Sequence, residues 1–187
     1  MPLPAPTPTR RSLLVLLPAA ALAACAPSPP PVTIGPDGLP IPQAYRISGA
    51  EARRVPFRAL DAVNALRMGA GAPPVTLDPR LTASAATHAR DMSLQNRPWL
   101  FGSDGSSPID RAARAGFDGR LLGETISESY ESELATIVAW GQEPASRRIL
   151  LDGQARRMGF AFFQEQNGKI WWVLNMGSGP DGAGPIV

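Results

Sequence analysis

Proline is concentrated near the start of this 187-residue chain, and its distribution limits where a folded domain can lie. Between Ala26 and Pro42 it recurs too often for a helix or a central strand, because proline lacks the backbone N–H that both structures need. Such a segment is typical of an extended, semi-rigid tether. The remaining length suits one domain, since a single core usually serves about 100–200 residues. We therefore predict a tether over residues 25–52, one domain over 53–180 and a tail over 181–187.

Residues 1–24 are predicted to be an export signal. The apolar run Ser12–Ala21 is too short to cross a bilayer, which takes about 20 residues, and it has the length of a signal-peptide core. Arg10 and Arg11 precede this run and resemble a twin-arginine export signal. The general secretory route stays open as the alternative, because basic residues are common at this position.

The four residues Leu22–Cys25 resemble the lipobox of bacterial lipoproteins, in which the cysteine thiol takes a diacylglyceryl group. Cys25 is the only cysteine of the chain, so no internal disulfide can form. An incidental thiol after an ordinary cleavage site is the alternative. We predict that acylated Cys25 anchors the chain in a lipid bilayer on the periplasmic side. An aspartate directly after the cysteine would resemble an inner-membrane retention signal, and this chain has Ala26 there. We therefore favour the outer over the inner membrane if the cell is Gram-negative.

The charge of the chain argues against a nucleic-acid partner. The formal net charge is +2, and Arg10 and Arg11 account for it, so removal of residues 1–24 leaves a net charge of zero. Binding to a phosphate backbone needs a basic surface, which a neutral chain does not offer.

Apolar residues at helical spacing predict a first helix that begins at Pro56 and ends at Gly69. Asp78 and Pro79 form a favourable N-cap and first turn for a second helix. The segment Ser107–Asp110 has the same capping chemistry, and residues 134–140 have the spacing of a fourth helix.

Three segments have the character of β-strands. Leu121–Ile126 is one, and Arg156–Phe163 and Lys169–Met176 are two more, separated by a turn that contains Asn167-Gly168. This dipeptide is a strong hairpin signal, because both of its residues tolerate a positive φ. The pattern predicts an α+β fold in which helices flank a mostly antiparallel sheet.

Several segments carry a family resemblance in their order and spacing. They are Asn64–Leu81, Ala85–Met92, Gly102–Phe117, Gly123–Ile126 and the later stretch Trp140–Trp172. Together they resemble the CAP family, whose members include SCP-like and pathogenesis-related proteins. The resemblance implies a three-layer α-β-α sandwich over nearly all of the folded part.

The resemblance also implies a central cleft with two histidines and two acidic residues, often able to hold a divalent metal such as zinc. Leu100 and Ser146 stand at the two histidine positions, whereas Glu124 and Glu143 keep the carboxylates. We predict a binding cleft lined by Leu100, Glu124, Glu143 and Ser146, with no metal and no other cofactor. Leucine at its rim makes such a cleft more apolar and less able to bind a cation.

His88 is the only histidine, and it shares a predicted helix face with Leu81, Ala85 and Met92. This placement favours a histidine packed in the core over a metal ligand or a catalytic base. Zinc normally needs three or four ligands that include His or Cys. The sequence also lacks a nucleophile signature such as Gly-x-Ser-x-Gly, so we predict no catalytic residues.

The favoured function is a membrane-anchored, non-enzymatic binding or interaction module of the cell envelope. Its ligand is unknown, and the resemblance allows a lipid-like molecule or a cell-wall component. One alternative is a hydrolase that uses Glu124 and Glu143 as an acid and base pair on envelope glycan or peptide. Another is a structural envelope protein that needs no ligand.

Overall fold

The computed structural model describes residues 45–129 and 131–180, together with Met1. Cys25, the rest of the predicted signal and the predicted tail lie outside the described residues. The helices are α1 (Gly49–Ala52), α2 (Val55–Gly69), α3 (Pro79–Gln95), α4 (Pro108–Arg114), α5 (Glu133–Gln142) and α6 (Pro144–Leu150). The strands are β1 (Thr76–Leu77), β2 (Gly119–Ser129), β3 (Arg157–Gln164) and β4 (Ile170–Pro180).

The four strands form one sheet in the order β1-β3-β4-β2. β1 runs parallel to β3, and the other two pairings are antiparallel. Helix α3 packs on one face of the sheet, with α4 beside it, whereas α2, α5 and α6 cover the other face. The structure thus confirms the predicted three-layer α-β-α sandwich with a mostly antiparallel sheet.

The core has two halves, because successive side chains of a strand point to opposite faces of a sheet. Trp172 and Leu174 of β4 pack with the α2 and α5 side chains, whereas Trp171 and Val173 pack against α3. Phe160 lies 5.6 Å from Trp172 between the ring centroids, so aromatic contacts continue across the sheet. Apolar burial on both faces accounts for the strongly hydrophobic sequence of β4.

Helix α3 begins where the sequence predicts. The Asp78 carboxylate accepts hydrogen bonds from the backbone N–H groups of Arg80 and Leu81, at 2.8 and 3.1 Å. Its first turn lies so close to β3 that a Cβ on Gly159 would come within 2.1 Å of the Leu81 carbonyl carbon. Glycine is therefore required at residue 159, and this contact fixes α3 on the sheet.

The predicted hairpin is confirmed, with Gly168 at a φ of 99°. The chain joins the domain earlier than the predicted boundary at residue 53. Tyr45 and Ile47 pack against the core, and Gln164 Nε2 donates a hydrogen bond to the Tyr45 carbonyl at 2.6 Å. The sequence does not predict three short elements, because they have little periodicity of their own. These elements are α1, β1 and α6.

Candidate functional site

Arg111 is the centre of a buried polar cluster between α3, α4 and β2. A capping box between Ser107 and Asp110 begins α4 and fixes the helix turn that carries Arg111. The Arg111 Nη2 group donates to Glu124 Oε1 at 2.7 Å and to the Leu100 carbonyl at 2.9 Å. Both charged side chains are buried. This pair therefore holds the loop at Leu100 against the edge strand β2.

His88 is fully buried beside this pair, as its predicted helix face requires. Its Nε2–H donates to the Trp99 carbonyl at 2.8 Å and lies 3.6 Å from Glu124 Oε1. Burial, together with the nearby charge of Arg111, lowers the pKa of His88 to about 4. The imidazole is therefore neutral at pH 7.

Glu124 has a perturbed carboxyl group. Burial raises its pKa to about 7, while the charge and the hydrogen bond of Arg111 oppose this rise. A pKa near 7 is what a general acid at neutral pH requires. The Glu124 side chain, however, has no solvent-exposed surface, so a substrate cannot reach its carboxyl in this conformation.

The predicted cleft of four residues does not form as one site. Glu143 is the exposed N-cap of α6. Its carboxylate accepts hydrogen bonds from the backbone N–H groups of Ser146 and Ala145, and these hydrogen bonds lower its pKa. The Ser146 hydroxyl lies 2.7 Å from that of Thr125. Because Glu124 and Thr125 are adjacent in β2, their side chains point to opposite faces of the sheet. Strand alternation therefore separates Glu124 from Glu143 and Ser146.

The residues predicted to stand at the family's histidine positions do not suit a divalent cation. Leu100 offers no side-chain ligand, and Ser146 is hydrogen-bonded to Thr125. The Glu124 carboxylate lies against the Arg111 guanidinium, whose charge would repel a metal ion. Within residues 45–129 and 131–180, no three His, Cys, Asp or Glu side chains come together as a metal site would need.

A cavity of about 420 Å³ opens next to the Arg111 cluster, between α3, α4 and the loop that joins them. Arg111 belongs to its wall, so one guanidinium borders both the cavity and Glu124. None of the four predicted cleft residues lines it. The lining consists of Ala83, Ser84, Thr87, Asp91, Gly102, Ser103, Asp104, Ser106, Arg111, Arg114 and Ala115.

Two polar atoms of this wall are buried without a hydrogen-bond partner, namely Ser84 Oγ and Arg111 Nε. At the mouth, by contrast, the Asp91 carboxylate accepts from Ser103, and Arg114 pairs with Asp104 at 2.5 Å. Ser84 is not among the site residues predicted from the sequence. Its position four residues before His88 places both on one helix face, and this spacing is a signal that could have found it.

Comparison with known proteins gives the family. The model of the CAP family, described as the cysteine-rich secretory protein family, matches residues 60–176, which is more than half of the chain. The chain belongs to the CAP family. This confirms the resemblance read from the sequence. No curated protein matches the sequence.

Solved CAP structures share the fold at low sequence identity. An extracellular SCP-domain protein of Bacillus anthracis has 18% identity and a TM-score of 0.63 over 72% of this chain and 45% of that one. An outer surface protein of Borrelia burgdorferi has 15% identity and a TM-score of 0.62 over 73% and 98%. A cysteine-rich secretory protein of Staphylococcus aureus has 12% identity and a TM-score of 0.59 over 72% and 42%. This chain thus spans less than half of the first and third proteins.

Two of these neighbours are described as extracellular or as outer surface proteins. In the part of the chain that the structure describes, no helix combines the length and the apolar character needed to cross a bilayer.

Proposed function

We propose that this CAP-family chain is a non-enzymatic binding module of the cell envelope, anchored by acylated Cys25, whose ligand occupies the α3–α4 cavity. One observation carries the proposal: Ser84 Oγ and Arg111 Nε are buried in the cavity wall without partners. A buried polar group without a hydrogen bond costs about 1–3 kcal/mol. Neither atom has solvent-accessible surface in this conformation, so a ligand recovers that free energy when rotation of the Ser84 and Arg111 side chains turns the two donors towards the cavity.

The cavity disfavours an anionic ligand. Arg111 pairs with Glu124 and Arg114 pairs with Asp104, so neither cation is free to bind an anion. The Asp91 carboxylate, held by hydrogen bonds from Ser103 and Gln95, adds a negative charge at the mouth. Ala83 and Ala115 provide apolar surface next to the two donors. An acetamido or peptide group combines a carbonyl acceptor with a short apolar substituent, and cell-wall glycopeptides are rich in such groups.

A lipid-like ligand fits less well. Asp91, Asp104 and Arg114 lie at the cavity rim, and a large apolar molecule would remove them from water without offering hydrogen bonds. We therefore propose a cell-wall component rather than a lipid as the ligand of the cavity.

The hydrolase alternative has one observation in its favour, the raised pKa of Glu124. Two observations weigh against it. The carboxyl is enclosed by Arg111 and His88, and Glu143 lies on the other side of β2 as a helix cap. A pair of carboxyl groups that acts on one bond must flank that bond from a shared cleft.

Equilibrium dialysis against soluble muropeptides from digested peptidoglycan, with detection by mass spectrometry, tests the proposal. We expect Ser84→Ala to weaken binding roughly fivefold, which corresponds to one hydrogen bond of about 1 kcal/mol. Ala115→Leu fills the cavity and should abolish binding. Ala113→Leu is the matched control, because Ala113 is an exposed residue of α4 outside the cavity, two residues before Ala115, which caps that helix.

The same incubation separates the alternatives. Equal binding by the Ala115→Leu and Ala113→Leu variants would overturn the cavity as the site. Release of new products by the wild type that is lost in Glu124→Gln would establish the hydrolase instead. If the chain neither binds nor alters muropeptides but binds phospholipid or sterol, and Ala115→Leu abolishes that binding, the ligand is a lipid. Absence of all binding would leave the structural envelope protein.

The anchor is tested independently on the full chain. Mass spectrometry of the peptide that begins at Cys25 should show the diacylglyceryl modification. Cys25→Ser should release the chain from the membrane fraction. An unmodified Cys25 thiol in membrane-bound protein would contradict the anchor without affecting the cavity.

A further inference from the structure

Three consecutive apolar residues between α3 and α4 are exposed, and we call them the aromatic loop. Trp99, Leu100 and Phe101 are 42, 44 and 49% exposed. The Trp99 and Phe101 rings meet edge to face with their centroids 6.3 Å apart, so they form one continuous apolar surface. Exposed apolar patches of this kind mark binding surfaces for proteins or membranes.

The aromatic loop lies at the end of the domain where the chain enters it. Arg46 Nη1 donates to the Gln166 carbonyl at 2.8 Å, so the first described residues contact the β3–β4 turn. On that same hairpin, Lys169 Nζ donates to Asn96 Oδ1 at 2.7 Å. Asn96 is the residue that ends α3, three positions before Trp99. The incoming chain, the hairpin turn and the aromatic loop therefore share one end of the domain.

The chemistry of this end suits a lipid headgroup layer. The Arg97 guanidinium stacks over the Trp99 ring, 3.2 Å from its centroid, and makes no ion pair with the described residues. Arg90 lies over the Phe163 ring, 5.2 Å from its centroid, and likewise makes no such ion pair. Tryptophan and arginine side chains combine apolar bodies with polar tips, and both concentrate where the bilayer meets water.

We propose that the aromatic loop inserts into the headgroup region of the bilayer, orienting the domain on the membrane. The proposal rests on the anchor at Cys25. Tyr45 follows Cys25 by twenty residues, and a chain of that length spans at most about 72 Å, so the anchor confines this end of the domain to that distance from the bilayer. Anchoring raises the effective concentration of the loop at the lipid surface, so modest insertion energy suffices.

Trp99 is itself the probe for this proposal, since Trp140, Trp171 and Trp172 are buried. The chain without residues 1–24 and with Cys25→Ser is mixed with phosphatidylcholine vesicles, with or without phosphatidylglycerol, in which some acyl chains are brominated. Neither an acyl group nor the apolar signal segment can then carry the domain to the bilayer. We expect a blue shift of the tryptophan emission and quenching by bromine. Trp99→Phe should abolish both effects. Because acylation is absent from this experiment, failure of the anchor and failure of the loop are distinguishable.

Phe57→Ser is the matched control for Phe101→Ser. Phe57 is 61% exposed, but it lies on α2, which covers the opposite face of the sheet. We expect Phe101→Ser to lower the vesicle-bound fraction at least tenfold relative to Phe57→Ser. Equal effects of the two substitutions, or unquenched Trp99 in vesicles, would overturn the proposal. A blue shift that depends on protein concentration without vesicles would assign the loop to self-association instead.

Discussion

The neighbouring groups His88 and Glu124 should give the fold two opposing pH dependences. The pKa of His88 is about 4 in the folded chain, against 6.5 for a free imidazole. Between these values the unfolded chain binds a proton that the folded chain does not. Stability from this group is thus present above pH 6.5 and lost as the pH falls towards 4. At about 1.4 kcal/mol per pKa unit, the loss is about 3 kcal/mol.

Glu124 acts in the other direction. Its pKa is about 7 when folded, against 4.5 for a free carboxyl. Stability from this group is present below pH 4.5 and lost as the pH rises through 7, again by about 3 kcal/mol. In the wild type the two contributions nearly cancel between pH 4.5 and 6.5.

Single substitutions should expose each contribution. In Glu124→Gln the free energy of unfolding should rise by about 3 kcal/mol from pH 4 to pH 7, because the His88 contribution remains. In His88→Gln it should fall by about the same amount. Urea unfolding, followed by the emission of the buried tryptophans, measures the free energy of unfolding of both variants at each pH. The contributions of all other titrating groups cancel in the difference between the two variants. Identical pH profiles for the two variants would refute the reasoning.

Three further predictions concern stability in urea at pH 7. Arg111→Met should cost about 1–3 kcal/mol, because it leaves buried Glu124 and the Leu100 and Ser106 carbonyls without their hydrogen-bond donor, and the double variant with Glu124→Gln should recover part of the loss. Gly159→Ala should cost about 3 kcal/mol or more, since the new Cβ meets the Leu81 backbone; a mild effect would contradict the close approach. Asp78→Ala should cost about 1–2 kcal/mol through loss of the α3 cap.

Local chemistry allowed most of the fold to be predicted. The Asp78-Pro79 cap, the helical spacing around His88 and the Asn167-Gly168 turn each specify structure within a few residues, and the structure confirms them. The sequence does not predict helix α6, because Pro144–Leu150 comprises only seven residues and they show little periodicity. Tyr45 was assigned to the tether, because its place in the domain depends on a distant partner, Gln164.

Less of the site than of the fold could be predicted from the sequence. The predicted cleft combined positions suggested by the family resemblance, but the period of two in β2 places Glu124 and Thr125 on opposite faces. That alternation is readable from the sequence once the strand is recognised. The contact of Arg111 with Glu124 is not, because it joins α4 to β2 through tertiary packing. The unpartnered state of Ser84 likewise depends on the surrounding fold.

NMR of the ¹⁵N-labelled chain titrated with muropeptides tests the central claim most directly. If the α3–α4 cavity is the binding site, amide shifts should change along residues 83–91 and 102–106, and the changes should disappear in Ala115→Leu. Shift changes centred on Thr125 and Ser146 would instead place the ligand on the α6 side of β2 and contradict the account.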